Sequence, residues 1–71
     1  MIPKILILGG SRDQYATLIT VKNLNFISIV VDHNKDCYCK TDCDIFLNIS
    51  TRDPENIIKT YSTAGGIKKE Y

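Results

Sequence analysis

A glycine turn near the start of the chain is the first feature that could do chemistry. An apolar run, Ile5–Leu8, leads directly into Gly9-Gly10-Ser11, and a helix-like segment follows. Backbone N–H groups at the start of a helix can face a phosphate or another anion, so the turn is a candidate anion-binding loop. We expect Gly10 to need either a positive φ or the close approach of a ligand. The alternative is a tight strand-to-helix turn that holds no ligand.

The turn matches neither of two common phosphate-binding motifs. Ser11 and Gln14 stand where the dinucleotide motif G-x-G-x-x-G requires glycine, and no Gly-Lys-Ser/Thr follows, as a P-loop would require. The sequence therefore disfavours dinucleotide binding.

A carboxylate, Asp32, ends the second apolar run, Ile27–Val31. At the tip of a second strand, a carboxylate can accept hydrogen bonds from a ribose. It can equally accept N–H groups of its own loop, in an Asx turn with Asn34 behind it. The sequence leaves both roles open.

Three cysteines lie close together after Asp32. Cys37, Cys39 and Cys43, with His33 before them, could supply ligands to zinc. The C-x-C spacing differs from the usual C-x2-C pair, so the competing interpretation is three reduced cysteines in a mobile loop. An odd cysteine count without a signal peptide does not predict a disulfide framework. We therefore predict no metal site in this chain.

No catalytic residue is predicted. Ser11 has no evident base, because His33 is the only histidine and no third group that would orient it is identifiable. Asp42 and Asp44 are expected to be solvated rather than to act as an acid–base pair.

Hydrophobic patterning predicts the elements that position these residues. Strands are expected at Lys4–Leu8, Phe26–Val31 and Ile45–Ile49, and helices at Arg12–Asn23 and from Pro54 to Ser62. Ser11 or Asp13 could cap the first helix, and Asp53 the second. The expected inward faces of the two helices are Tyr15, Leu18, Ile19 and the aliphatic stem of Lys22 in the first, and Ile57, Ile58 and Tyr61 in the second.

The elements predict an α/β fold, a small three-stranded parallel Rossmann-like half domain of order β-α-β-β-α that is incomplete. It is expected to occupy residues 1–62, with a polar tail at 63–71. The connection from Asp32 to Ile45 shows no helical pattern, although it is near the minimum length for a crossover. Three strands and two helices would leave sheet surface uncovered, so we expect the isolated chain to pair with something.

Composition narrows the possible partners. Nine Lys and Arg against eight Asp and Glu give a net charge of +1 in 71 residues, far from the basic footprint of a nucleic-acid binder. No apolar stretch is long enough to span a membrane, and the N-terminus lacks the pattern of a signal peptide. The sequence therefore predicts a cytoplasmic protein that binds neither nucleic acid nor membrane.

Three segments together resemble the N-terminal domain that precedes the ATP-grasp fold in ATP-grasp ligases, as in the carbamoyl-phosphate synthase large subunit and biotin carboxylase. The first segment is Lys4 to Gln14, a strand followed by a glycine turn. The second begins with Val31-Asp32-His33-Asn34 and continues through Thr41-Asp42-Cys43-Asp44 into the third strand. The third is Thr51-Arg52-Asp53-Pro54-Glu55, which opens a helix. The resemblance covers about residues 4 to 61.

The resemblance implies part of a ligase that joins a carboxylate to an amine through an acyl phosphate. It implies that ATP and magnesium bind in later domains, so that this chain holds no cofactor and is not catalytic alone. Its role would be to form part of the acceptor-substrate cleft and a domain interface. The substrate-binding candidates that the resemblance carries over are Gly9, Gly10, Ser11, Gln14 and Asp32. The implied partners are the missing ATP-grasp domains and a small-molecule substrate.

Two other classes of function stay open. The chain could be a free-standing Rossmann- or flavodoxin-like module that binds a nucleotide or a partner and acts as a homo-oligomer. A metal-binding scaffold built on the cysteine loop is the third class. Saturable nucleotide binding would distinguish the module, and zinc that survives dialysis would distinguish the scaffold.

Overall fold

A computed structural model describes the backbone of residues 2–63 and the side chains of residues 2–61. The predicted polar tail, 63–71, lies outside the described residues except for Thr63. The elements, in chain order, are strand β1 (Lys4–Leu8), a 3-10 turn (Arg12–Gln14), helix α1 (Tyr15–Asn23), strands β2 (Ile27–Val31) and β3 (Ile45–Leu47), and helix α2 (Pro54–Thr63). Among residues 2–63, no helix has the length and apolar character needed to cross a membrane.

The three strands form one parallel sheet in the order β1-β2-β3. In the β1–β2 pair Leu6 lies opposite Ile29, and in the β2–β3 pair Val31 lies opposite Leu47. The predicted α/β class, with a small parallel three-stranded sheet and two helices, is confirmed. β3 ends at Leu47, two residues earlier than the sequence predicts, and Ile49 donates its N–H back to the Leu47 carbonyl.

The sheet separates two apolar clusters, because alternate residues of a strand point to opposite faces. On one face Val30 of β2 packs with α1, and on the other Ile29 and Val31 pack with α2. The buried members of the first cluster are Ile7, Leu18, Val21, Val30, Cys37 and Cys39. Those of the second are Ile29, Val31, Leu47, Ile57 and Tyr61. The protein therefore has three layers, with the helices on opposite faces.

The connection between β2 and β3 is irregular, as predicted, but it is not a loosely attached loop. Cys37 and Cys39 are buried against the face of the sheet that α1 also covers. A buried thiol packs as a small apolar side chain. The cysteines thus cover sheet surface that a crossover helix would otherwise cover.

Asp44 is hydrogen-bonded to Ser28 of β2 and so stabilises the start of the β2–β3 pair. Its carboxylate accepts the backbone N–H of Ser28 at 2.8 Å and the Ser28 hydroxyl at 3.1 Å, and its own N–H donates to Ser28 Oγ at 3.0 Å. Asp44 is exposed, as expected, but its carboxylate is also bonded to Ser28. Ser28 is buried in β2, so its polar groups need these partners.

The predicted helix faces are partly correct. In α1, Leu18 and Val21 are the buried residues, whereas Lys22 is exposed and donates from Nζ to the Asp42 carbonyl at 2.9 Å. In α2, Ile57 and Tyr61 are buried, but Ile58 is 59% exposed. Val21 lies three residues after Leu18 and so shares its buried face.

The helix ends are set by local bonds. Asp53 accepts the N–H of Asn56 on its side chain and so caps α2, as predicted. Neither the 3-10 turn nor α1 has a side-chain cap bond at its start, so the expected caps from Ser11 and Asp13 are wrong. α1 ends in a Schellman motif, in which Asn25 has a positive φ of 61° and Phe26 donates its N–H to Val21.

Candidate functional site

The glycine turn joins the carboxyl end of β1 to the 3-10 turn. Gly9 has a φ of 94°, which favours glycine, and its N–H donates to the Val31 carbonyl at 2.7 Å. Gly10 does not have a positive φ, so that part of the expectation for Gly10 is wrong. A Cβ on Gly10 would lie 2.7 Å from both Cys37 Sγ and Val30 Cγ1. The group that approaches Gly10 closely is therefore the protein's own core.

Asp32 connects this turn to the loop after β2. Its Oδ2 accepts the Gly10 N–H at 2.8 Å, and its Oδ1 accepts the Asn34 N–H at 2.8 Å. The second bond is the predicted Asx turn, which is confirmed. The Asn34 N–H is the largest influence that holds the pKa of Asp32 below its ordinary value, opposed by partial burial and assisted by the Gly10 N–H and by His33.

An anion-binding loop would need the backbone N–H groups of the glycine turn, and the bond to Asp32 already uses the one on Gly10. The Gly10 N–H points to Asp32, and the Gly10 carbonyl accepts the Cys39 N–H at 2.9 Å. Both backbone polar groups of Gly10 are thus bonded within the protein. The glycine turn positions its neighbours and does not itself present Gly10 to a ligand.

Ser11 and Gln14, the other two substrate-binding candidates that the resemblance implies, have different surroundings. The Ser11 carbonyl accepts the Gln14 N–H and the Cys39 thiol, which leaves its side chain at the surface. The Gln14 amide turns back along the strand, and its Nε2 donates to the Leu8 carbonyl at 3.3 Å. Gln14 therefore lies at the free edge of β1, on the other side of the turn from Asp32.

An open cleft of about 840 Å³ lies at the carboxyl ends of the strands. Ser11 and Asp32 line it, whereas Gly9, Gly10 and Gln14 are not among its lining residues. The charged groups around it have both signs, with Arg12 and Lys35 against Asp32 and Asp36. The full lining is Ser11, Arg12, Asp32, His33, Asn34, Lys35, Asp36, Cys37, Tyr38 and Asn48.

Tyr38 and Asn48 are cleft residues that the sequence analysis misses. The Tyr38 ring is 53% exposed and meets Tyr15 edge-on at 5.1 Å, with the Arg12 guanidinium 5.8 Å from its centroid. Asn48 donates from Nδ2 to the carbonyls of Asp32 and His33, both at 3.0 Å. Asn48 directly follows β3, and the position of a polar residue after a parallel strand is a signal that could have identified it. Nothing in the local pattern distinguishes Tyr38.

A second cavity, of about 460 Å³, continues the edge towards α2. His33 lines both cavities, and Ser50, Thr51 and Arg52 complete the second. The His33 side chain is 80% exposed, and its Nδ1 lies 3.5 Å from Asp32 Oδ1. The carboxyl edge of the sheet is therefore a continuous polar surface from Arg12 to Arg52.

The cysteines do not form a metal centre in the described residues. Within residues 2–63, no three His, Cys, Asp or Glu side chains come together in a way that could hold a metal ion. The Cys39 thiol donates to Ser11 and the Cys43 thiol to Lys40. Burial raises the pKa of both thiols, so both are neutral at pH 7.

In the described part of the chain, no base is bonded to the Ser11 hydroxyl, and the one carboxylate close to a histidine is already bonded to two backbone N–H groups.

Comparisons with protein-family models, with curated proteins and with solved structures found no match.

Proposed function

We propose that this chain is the Rossmann-like N-terminal part of an ATP-grasp-type carboxylate–amine ligase, where it forms one side of the acceptor-substrate cleft and a domain interface. The observation that carries the proposal is the direct bond between Gly10 and Asp32. The most specific parts of the resemblance to the ligase domain are Val31-Asp32-His33-Asn34 and the order of the elements, and the glycine turn belongs to the same resemblance. This bond holds the glycine turn and the Asp32 segment together beside the cleft, at the strand ends where open α/β sheets bind ligands.

The cleft residues fit a small polar acceptor. Arg12 and Lys35 can hold a carboxylate or a phosphate, since both are cations at neutral pH. Asn34 and Ser11 add neutral hydrogen-bonding groups at the same surface, and Tyr38 offers an exposed ring. The cleft volume lies within the range of about 300–1,000 Å³ that is common for small-molecule sites.

The chain's own residues do not fit the cofactors of such a ligase. Residues 2–63 bring together no acidic cluster for magnesium, and the Gly10 N–H is bonded to Asp32 instead of being presented to a phosphate. In this proposal other domains bind ATP and magnesium, form the acyl phosphate and catalyse its capture. The role of this chain is to bind and orient the acceptor.

The test uses the native polypeptide that contains these residues, captured from its source cells with an antibody against this chain. Phosphate release from ATP is measured with and without mixtures of small carboxylates and amines. The proposal predicts release that requires an acceptor. It also predicts that Arg12→Ala raises the KM for the acceptor and leaves the KM for ATP unchanged. Lys59→Ala, on exposed α2 surface, is the matched control and should change neither.

One observation favours a second candidate, a free-standing small-molecule-binding module. The described residues themselves form a cleft that carries Arg12, Lys35 and Tyr38, so a ligand could bind to them without a second domain. Calorimetric titration of the isolated chain with nucleotides and phosphorylated metabolites distinguishes the two. Saturable binding that Arg12→Ala weakens, together with absence of ATP turnover by the native polypeptide, would replace the ligase proposal with the module.

A further inference from the structure

The tripeptide Cys37-Tyr38-Cys39 holds an aromatic ring outwards from a buried part of the loop after β2. Cys37 and Cys39 are both buried against the sheet, whereas Tyr38 between them is 53% exposed. The Cys39 N–H donates to the Gly10 carbonyl at 2.9 Å, and the Lys40 N–H donates to the Cys37 carbonyl at 3.2 Å. The backbone of Tyr38 is therefore fixed on both sides, so its exposure does not come from a loosely held loop.

The Tyr38 ring also positions the Arg12 guanidinium at the cleft. The guanidinium carbon lies 5.8 Å from the centre of the ring, within the range of a cation–π contact. The Tyr15 ring meets Tyr38 nearly at right angles and itself packs against the apolar cluster that includes α1. Both Arg12 and Tyr38 line the cleft. The three side chains thus form one wall of the cleft, in which a cation is held against an aromatic ring.

The charges that line the cleft favour an anionic ligand. No carboxylate of residues 2–61 lies within ion-pair distance of Arg12 or Lys35. Of the acidic lining residues, Asp32 has both carboxylate oxygens bonded to backbone N–H groups, which leaves Asp36 as the open carboxylate. Two unpaired cations therefore face one open carboxylate. An arginine suits a carboxylate or a phosphate in particular, because its planar fork can donate two parallel hydrogen bonds to either group.

We infer that the ligand of this cleft is a small molecule in which an anionic group is joined to a flat ring. Arg12 binds the anionic group, and the exposed part of the Tyr38 ring packs against the ring of the ligand. A rigidly held tyrosine suits this role, because it offers a large contact area at a low cost in side-chain entropy. Tyr38 is thus the residue that sets specificity for the ring. The inference rests on the proposed function in placing the acceptor in this cleft, but it does not depend on ATP chemistry.

Protein-observed NMR titration of the native polypeptide, without ATP, tests the inference with five probes. Benzoate and phenyl phosphate join an anion to a flat ring, acetate and inorganic phosphate are anions without the ring, and benzylamine carries the ring with the opposite charge. At least one ring-bearing anion should bind about tenfold more tightly than its ring-free counterpart and than benzylamine. The tighter of benzoate and phenyl phosphate identifies the anionic group as a carboxylate or a phosphate.

Three results would overturn the inference. They are equal binding of the ring-bearing and ring-free anions, tighter binding of benzylamine, and no binding of any probe at about 10 mM, a concentration that suits ligands of so few atoms. The comparison of probes uses the unaltered protein, so it does not depend on the stability of any variant.

Two substitutions assign the two parts of the ligand to their residues. Tyr38→Leu should remove the preference for ring-bearing over ring-free anions. Arg12→Gln should weaken every anion about tenfold, leave benzylamine unchanged and keep the preference for the ring. Lys59→Ala, on exposed α2 surface, is the matched control and should change none of these affinities. An unchanged preference in Tyr38→Leu would contradict the role of Tyr38.

This inference and the ligase proposal can fail separately. Binding of a ring-bearing anion without acceptor-dependent phosphate release would support the inference and remove the ligase proposal. Phosphate release that depends on an acceptor lacking either the ring or the anionic group would support the ligase proposal and overturn the inference.

Discussion

The Asp32 carboxylate accepts the Gly10 N–H at 2.8 Å, across 22 residues of sequence. The bond lies one step beyond the last backbone bond of the β1–β2 pair, from Gly9 to Val31. It adds a side-chain bond just past the ends of the two strands, at Leu8 and Val31. Asp32 thus fixes the glycine turn relative to the loop that forms the cleft.

Removal of this carboxylate should destabilise the fold. Asp32→Ala leaves the N–H groups of Gly10 and Asn34 without their acceptor, and a hydrogen bond to a charged group contributes about 1.5–3 kcal/mol. We expect a loss of about 2 kcal/mol in the free energy of unfolding, measured by urea denaturation. Asp36→Ala, in the same loop, is the control and should change it by less than about 0.5 kcal/mol. Equal stability of the two variants would show that the Asp32 bonds contribute nothing.

The same residue should make stability depend on pH. The pKa of Asp32 is held below its ordinary value of 3.8, chiefly by the Asn34 N–H. A carboxyl group with a lowered pKa in the folded state stabilises the fold above its unfolded pKa, and this contribution is lost as the pH falls through the folded pKa. Below about pH 4, the wild-type protein should therefore lose stability more steeply than Asp32→Asn. Parallel pH profiles of the two proteins would contradict this assignment.

The space around Gly10 should not tolerate a side chain. Gly10→Ala places a Cβ 2.7 Å from Cys37 Sγ and from Val30 Cγ1, and overpacking of a core costs about 1–3 kcal/mol. Cys37→Ala in the same chain removes one of the two clashes. The double variant should therefore be less destabilised than the sum of the single variants, measured by thermal unfolding. Strictly additive effects would show that Cys37 and Gly10 are not in contact.

The three thiols should differ in reactivity. Burial raises the pKa of both the Cys39 and the Cys43 thiol, so access decides the order: Cys39 is buried and Cys43 is only partly so. In the native protein at pH 8, a thiol reagent should label Cys43 before Cys39, and all three cysteines should react in urea. Site-resolved mass spectrometry gives the order. Labelling of Cys39 at the same rate with and without urea would contradict its burial.

The strands and helices follow closely from the sequence because each has a local signal. The apolar runs indicate β1 and β2, and Asp53-Pro54 indicates the start of α2. The Asx turn at Asp32 is also a local pattern, since its partner Asn34 is two residues away. These parts were predictable because the residues that determine them are close in sequence.

The missed features depend on contacts between distant residues. Cys37 resembles a loop residue until Gly10, 27 positions earlier, is seen to pack against it. The bond from the Ser28 N–H to the Asp44 carboxylate spans 16 residues and requires the β2–β3 register, which the sequence does not specify. In α1 the spacing from Tyr15 includes the stem of Lys22, whereas Val21, three residues after Leu18, is the residue that packs against the sheet.

The most direct test of the central claim is the size of the native gene product, measured by immunoblot of source cells with an antibody raised against this chain. The ligase account predicts a band several times larger than the 8.0 kDa of these 71 residues, because the ATP-binding domains would belong to the same polypeptide. A single band at 8.0 kDa would contradict the account, and the small-molecule-binding module would then explain the cleft.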